Sequence, residues 1–175
     1  PTCTPFTVST RVPFTHAGDL PAAVAGQAVT LTLESEIDVG RGDLLCDPGR
    51  RPAVADQAEA TLVWMHEAPL LPGRAYLARI GTRTVSCTIT GLKHRIDVAT
   101  GGQLAARTLE LNDIGVATLA FGEPVAFDPY AENRETGGFI LIDRITNDTV
   151  AAGMLASARS NTAQDWQDLT VDATE

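Results

Sequence analysis

Val85-Ser86-Cys87-Thr88-Ile89-Thr90 alternates apolar and polar residues along its whole length. A period of two puts Val85, Cys87 and Ile89 on one face and Ser86, Thr88 and Thr90 on the other, the pattern of a strand buried on one side. Ala28-Val29-Thr30-Leu31-Thr32-Leu33 repeats it. Outward from these two stretches, further strands are expected at Ala60–Met65, Ala75–Ile80, Thr108–Leu111, Gly115–Phe121, Phe139–Asp143 and Val150–Ala156. Turn-forming residues separate them: Leu71-Pro72-Gly73, Thr100-Gly101-Gly102 and Gly122-Glu123-Pro124, with Asn147-Asp148 as a hairpin turn. Helical spacing is confined to one turn at Pro129–Glu135, with Asp128 as its cap and Pro129 at its first position, and one at Asp165–Asp168 anchored by Trp166. Many short strands between turn signals predict an all-β barrel or sandwich.

The 175 residues suffice for one ordinary domain or two small barrels, and 44% hydrophobic residues suffice for a core. Asp47-Pro48-Gly49-Arg50-Arg51-Pro52 reads as a linker, dividing the chain into residues 1–52, 53–158 and an acidic tail or linker, 159–175. These parts carry −2, −4 and −3 of the net charge of −9. An acidic chain is poorly suited to nucleic acid, where affinity comes from neutralising phosphates. No apolar run approaches the roughly 18–20 residues of a membrane span, and no signal peptide opens the chain at Pro1. A cytoplasmic chain binding neither nucleic acid nor membrane is expected.

Lys93 is the sole lysine, and it lies in Leu92-Lys93-His94 rather than in Gly-Lys-[Ser/Thr], so no phosphate-binding P-loop is present. Cys3, Cys46 and Cys87 form no C-x-x-C pair, and His16, His66 and His94 have no metal-ligand spacing. Cys87, at core-strand spacing, reads as a small buried hydrophobe, and Trp64 as a core residue. No G-x-S-x-G elbow occurs. No catalytic, cofactor-binding or metal-binding residue is therefore assigned. Charge is instead segregated along the chain. Arg74, Arg79, Arg83, Lys93, Arg95 and Arg107 stand against only Asp97 between Pro69 and Leu109, and eight acids stand against Arg134 and Arg144 between Glu110 and Asp148. The bland reading is solvated or salt-bridged strand ends; the sharper one is a basic face for an acidic partner or anionic ligand. The candidate interface residues are Arg79, Arg83, Lys93, His94, Arg95, Asp97, Asn133 and Arg134.

Several stretches carry a resemblance. Glu36-Ile37-Asp38-Val39-Gly40-Arg41-Gly42-Asp43-Leu44-Leu45 is similar to the last strand pair of the second domain of translation-factor GTPases. Val54-Ala55-Asp56-Gln57, Trp64-Met65, Pro69-Leu70-Leu71-Pro72-Gly73-Arg74, Ile80-Gly81-Thr82-Arg83-Thr84 and Lys93-His94-Arg95-Ile96-Asp97-Val98 follow in order. Then come Leu111-Asn112-Asp113-Ile114-Gly115, Pro124-Val125-Ala126-Phe127-Asp128-Pro129-Tyr130, Asn133-Arg134-Glu135-Thr136-Gly137 and Phe139-Ile140-Leu141-Ile142-Asp143-Arg144. Over residues 18–156 this series closely resembles the large, GTP-binding subunit of bacterial sulfate adenylyltransferase, of the elongation-factor-Tu-like superfamily.

The resemblance implies a translation-factor-type, domain-3-like β-barrel over 53–158, preceded by an incomplete domain-2-like barrel over 1–52. It implies a structural and docking part in sulfate assimilation, in an enzyme that forms adenylylsulfate and pyrophosphate from ATP and sulfate, driven by GTP hydrolysis. GTP and Mg would belong to an N-terminal domain whose motifs this chain lacks, so the chain alone is expected to be inactive and to hold no cofactor. The implied partners are the small, ATP sulfurylase subunit, the chain's own GTPase domain and a fused adenylylsulfate kinase. Two alternatives come from other classes: an RNA-binding translation-factor-like module, and a free-standing protein-interaction barrel. Half a barrel leaves unpaired strand edges, so residues 1–50 alone will not fold. Their isolated peptide should give a collapsed, unprotected amide spectrum, whereas a dispersed one would contradict the domain-2 reading.

Overall fold

The computed structural model describes residues 8–11, 19–20, 24, 30–33, 39–47 and 49–159. The expected turn at Asp165–Asp168, most of the acidic tail and Cys3 lie outside them. The chain divides into two compact units, Pro1–Gly40 and Arg41–Glu175. In the first, β1 (Val8–Arg11), β2 (Asp19–Leu20) and β3 (Thr30–Leu33) form an antiparallel sheet in the order β2-β1-β3, with Val8 opposite Leu33 and Arg11 opposite Asp19.

The second unit is a barrel. Its strands are β4 (Ala53–Trp64), β5 (Ala75–Ile80), β6 (Arg83–Ile96), β7 (Gln103–Leu104), β8 (Ile114–Phe127), β9 (Gly138–Asp143) and β10 (Thr149–Arg159), with one short helix, α1 (Arg134–Gly137). The order β5-β9-β10-β4-β8-β6 closes on itself because β5 also pairs with β6, and β7 adds a short strip beside the far end of β6. The alternation read in Val85–Thr90 is borne out: Val85, Cys87 and Ile89 are buried, and Ser86 and Thr90 are exposed. Register shifts in β4, β6 and β10 mark bulges, which let strands of 11–14 residues bend around the wall.

Two sequence expectations are corrected. Gly122-Glu123-Pro124 is not a turn but stays within β8: Gln57 pairs with Ala120 and Ala55 with Val125, so Phe121–Pro124 bow away from β4, while Phe121 still pairs with Cys87 on β6. Pro124, which has no N–H to donate, is tolerated at such an irregularity. Thr108–Leu111 is not a strand but a loop. Its buried Leu109 plugs one barrel end, its carbonyl accepts from the Leu70 N–H at 2.9 Å, and a leucine methyl lies 2.8 Å from where a Cβ on Gly115 would stand. Apolar alternation over four residues cannot tell a plug from a strand.

Inside the barrel, small residues face large ones. Ala58, Ala60, Ala78, Ala117 and Ala151 are buried beside Trp64, Tyr76, Phe127, Leu119, Leu141 and Leu155. Trp64 packs edge-on against Tyr76, with ring centroids 6.0 Å apart, and its indole N–H donates to the Ala68 carbonyl at 2.8 Å. Cys87 is core, as expected, and burial pushes its thiol up to about 12. Gly153 and Phe139 are cross-strand partners, and the Phe139 ring fills the space that a side chain at 153 would need: a Cβ there would lie 2.2 Å from the ring.

The β9–β10 hairpin is built around Asp143. This buried carboxylate accepts from the Ile145 N–H at 2.8 Å and the Thr146 N–H at 3.3 Å, and it pairs with Arg74. Asn147, at φ 62°, closes the loop by donating its N–H to the Asp143 carbonyl. Asp143 is held below its ordinary carboxyl value, first by the Ile145 N–H, then by the Thr146 N–H and the Arg74 charge, working against desolvation.

Two outcomes follow from this packing. Gly153→Ala forces the Phe139 ring aside and should cost about 1–3 kcal/mol, the usual range for overpacking; urea unfolding should show a lower midpoint at unchanged slope. Because the Asp143 carboxyl titrates lower in the folded chain than in the unfolded one, its stabilisation is full above the unfolded pKa and is lost as pH falls through the folded pKa. Asp143→Asn should therefore melt below the parent chain at pH 7, and the gap should close as the solution is acidified below the ordinary carboxylate range. A gap independent of pH would refute the assignment.

Candidate functional site

The eight candidate residues fall in three places. Lys93, His94, Arg95 and Asp97 follow the second half of β6. Lys93, exposed at a bulge, reaches across β8 to the carboxylate of Glu59 on β4, and the Arg159 Nε lies 3.9 Å from the same oxygen. Glu59 is held below its usual value, first by the Lys93 hydrogen bond and further by the charges of Arg159 and His94. Arg95 does not turn to Asp97; its Nη1 lies 3.2 and 3.3 Å from the two oxygens of Asp113. Asp97 instead organises the turn into β7, accepting from the Thr100 hydroxyl at 2.7 Å and the Ala99 N–H at 3.0 Å. These two bonds, the hydroxyl first, hold its carboxyl below the ordinary range.

Arg79 and Arg83 lie at the opposite end, on either side of the Gly81-Thr82 turn that joins β5 to β6. Gly81 has φ 55°, a backbone region that glycine enters without strain. Arg79 is exposed on β5, directly across the ladder from Thr84. Arg83 is anchored: its Nε and Nη2 lie 3.3 and 3.2 Å from one oxygen of Glu123, which sits on the bowed part of β8. The segment Arg41–Leu44 passes over this hairpin. Gly42, at φ 102°, comes so close to Arg83 that a Cβ would stand 3.4 Å from the arginine's own Cβ. An open cleft results, in which Arg41, Arg79 and Arg83 meet Thr82, Thr84 and Glu123; Asp43 also lines it. A smaller apolar recess beside it reaches Val85, Val125 and α1 through Glu135 and Thr136.

Asn133 and Arg134 open α1. The cap differs from expectation: Asn133, not Asp128, receives the Glu135 N–H, at 3.1 Å, and helix starts at Arg134 rather than Pro129. Asp128 lies beneath, accepting from the Thr136 hydroxyl at 2.7 Å and the Asn133 amide at 3.3 Å. Arg134 stacks over the Tyr130 ring at 6.0 Å. Gly137 is forced here, because a Cβ would stand 2.5 Å from the Tyr130 backbone.

The charge blocks seen along the sequence become complementary across strands. The order β9-β5-β6-β8 sets the basic strands between acidic ones. Arg74 then meets Asp143, Arg83 meets Glu123 and Arg95 meets Asp113, while Lys93 reaches past β8 to Glu59. Arg79 and Arg41 have no side-chain partner among the described residues. Arg41 was not singled out by its sequence context, where Arg-Gly signals only a turn; nothing local reports that this turn lies over Arg83. Among the described residues, no group of three or more His, Cys, Asp or Glu could hold a metal ion, and no helix is long and apolar enough to cross a membrane. What the surface offers chemically is anchored and free guanidinium groups, which suits binding.

Comparison with known proteins places this barrel. A model described as GTP-eEF1A C-terminal domain-like matches residues 57–156. The chain is 51% identical over 157 residues to the bifunctional enzyme NodQ of Rhizobium sp. (strain N33), covering 89% of this chain and 24% of that protein. It is 50% identical to the bifunctional enzyme CysN/CysC of Xylella fastidiosa over 86% of this chain and 24% of the relative. It is 48% identical to sulfate adenylyltransferase subunit 1 of Aeromonas hydrophila over 81% of this chain and 30% of the relative. The chain thus spans only 24–30% of the length of these curated relatives. A solved structure of sup35 complexed with GDP superposes with a TM-score of 0.76 at 17% identity, covering 91% of this chain and 41% of that one. This likeness concerns the fold. With the family model spanning more than half of its residues, the chain belongs to the GTP-eEF1A C-terminal domain-like family.

Proposed function

We propose that this chain is the barrel part of the GTP-binding subunit of sulfate adenylyltransferase, acting in sulfate assimilation as a scaffold and docking part rather than as the reacting centre. One observation carries this reading: identity near 50% extends over four-fifths or more of the chain to NodQ, to CysN/CysC and to a relative named sulfate adenylyltransferase subunit 1. The enzyme would join the adenylyl group of ATP to sulfate, releasing pyrophosphate, with GTP hydrolysis as the driving reaction. In this reading residues 53–158 are the domain-3-like barrel, 1–52 come from the preceding domain-2-like barrel, and 159–175 lead onward as a tail or linker. The chain would work in the cytoplasm beside its GTPase domain and the small, ATP sulfurylase subunit, with a fused adenylylsulfate kinase in bifunctional versions.

The docking role is assigned to the polar ridge Lys93, His94, Arg95 and Asp97 and to the α1 entry, Asn133 and Arg134. Most of these side chains already hold barrel partners, which fixes them in place and lowers the entropy lost on association. The tagged chain should retain the small subunit on a column at low salt and should not retain tRNA. Retention of tRNA would favour a translation-factor-like module, and retention of neither would favour a free-standing interaction barrel.

A further inference from the structure

We propose that the cleft at the β5–β6 turn is a binding site for a tetrahedral oxyanion, a phosphate or sulfate group, held by Arg41, Arg79 and Arg83 with the hydroxyls of Thr82 and Thr84. Three arginines line this one cleft. They come from three segments: the stretch after Gly40, strand β5 and the start of β6. Arg83 is fixed in direction because Glu123 engages its Nε–Nη2 edge, which leaves its Nη1 hydrogens unengaged by Glu123. Arg79 stands on a strand paired on both sides, with β6 and β9, so its base does not move. Thr84 is its cross-strand neighbour, on the same face. Neither Arg79 nor Arg41 has an internal carboxylate partner among the described residues, whereas Arg74, Lys93 and Arg95 each do.

The lining is rich in donors. Guanidinium and hydroxyl groups supply N–H and O–H hydrogens to several oxygens at once, the demand of a tetrahedral anion rather than of a planar carboxylate. Asp43 and Glu123 also line the cleft, leaving a modest local excess of positive charge in a chain of net charge −9. Selection must then come from short-range hydrogen bonds, since fields beyond about 8 Å are screened at physiological salt. An acidic polypeptide, spread over a longer path, would meet the surrounding carboxylates.

The test is a titration of the isotopically labelled full chain with sodium phosphate, sodium sulfate, phenyl phosphate, hexaglutamate and, at matched ionic strength, sodium chloride. Phosphate or sulfate should give saturable amide shifts at residues 41–43 and 79–84 that chloride does not. Tighter binding of phenyl phosphate would identify an ester as the source of the group, and equal or weaker binding the free ion; both support the site. Arg79→Gln and Arg41→Gln should each weaken binding at least tenfold. Both side chains are exposed and unpaired among the described residues, so the melting temperature should stay unchanged. Shifts that match those in chloride, saturation unaffected by both substitutions, or saturation by hexaglutamate alone would each overturn the proposal.

Discussion

The pairing of β5 with β6 is the constraint on which the barrel depends. Without it the six wall strands would form an open sheet with β5 and β6 as bare edges, each a row of unpaired backbone groups. Six register pairs, from Ala75 opposite Thr88 to Ile80 opposite Arg83, remove both edges. Closure also fixes the interior volume, and that volume explains the side chains. A narrow barrel has room for Trp64, Tyr76 and Phe127 only if the facing positions are alanine or glycine. The same hairpin turn brings Arg79 and Arg83 to either side of one cleft.

Closure also decides the electrostatics. Strands remote in sequence become neighbours, and basic stretches lie next to acidic ones. Ion pairs with one side partly exposed contribute little each, but they set register and occupy charges that would otherwise be open to a partner. Arg79 and Arg41 stand apart from this pattern, which makes their cleft distinct from the salt-bridged ridge of Lys93, Arg95 and Asp97.

The fold was largely legible because it rests on period-two patterning, which sequence displays directly. Ala75–Ile80 is a strand with the expected bounds, and the Val85–Thr90 stretch of β6 has the expected faces. What failed rested on tertiary context. Leu109 reads as a strand residue because a plug and a strand share the same four-residue alternation, and only the Leu70 N–H and Gly115 nearby tell them apart. Gly122-Glu123-Pro124 has the composition of a turn, yet pairing before and after it, at Ala120 and Val125, keeps it within one strand as a bowed stretch. The site was less legible. Arg79 and Arg83 stood out by charge, but the segment carrying Arg41 lies far from them in sequence, and its approach over Arg83 is announced only by a glycine. The cap on α1 shifted to Asn133 because Asp128 is occupied from below by Thr136.

The strand order carries a consequence for how the chain comes to be folded. The first barrel strand, β4, lies between β8 and β10, and β10 is the last to be made. On the ribosome, β4 therefore emerges with neither neighbour available and must wait for nearly the whole barrel to be synthesised. Such non-local pairing slows folding, because loop closure is opposed by entropy before contacts compensate it. During that interval the alternating apolar face of β4 stays uncovered in the nascent chain, the kind of transient exposure that chaperones shield.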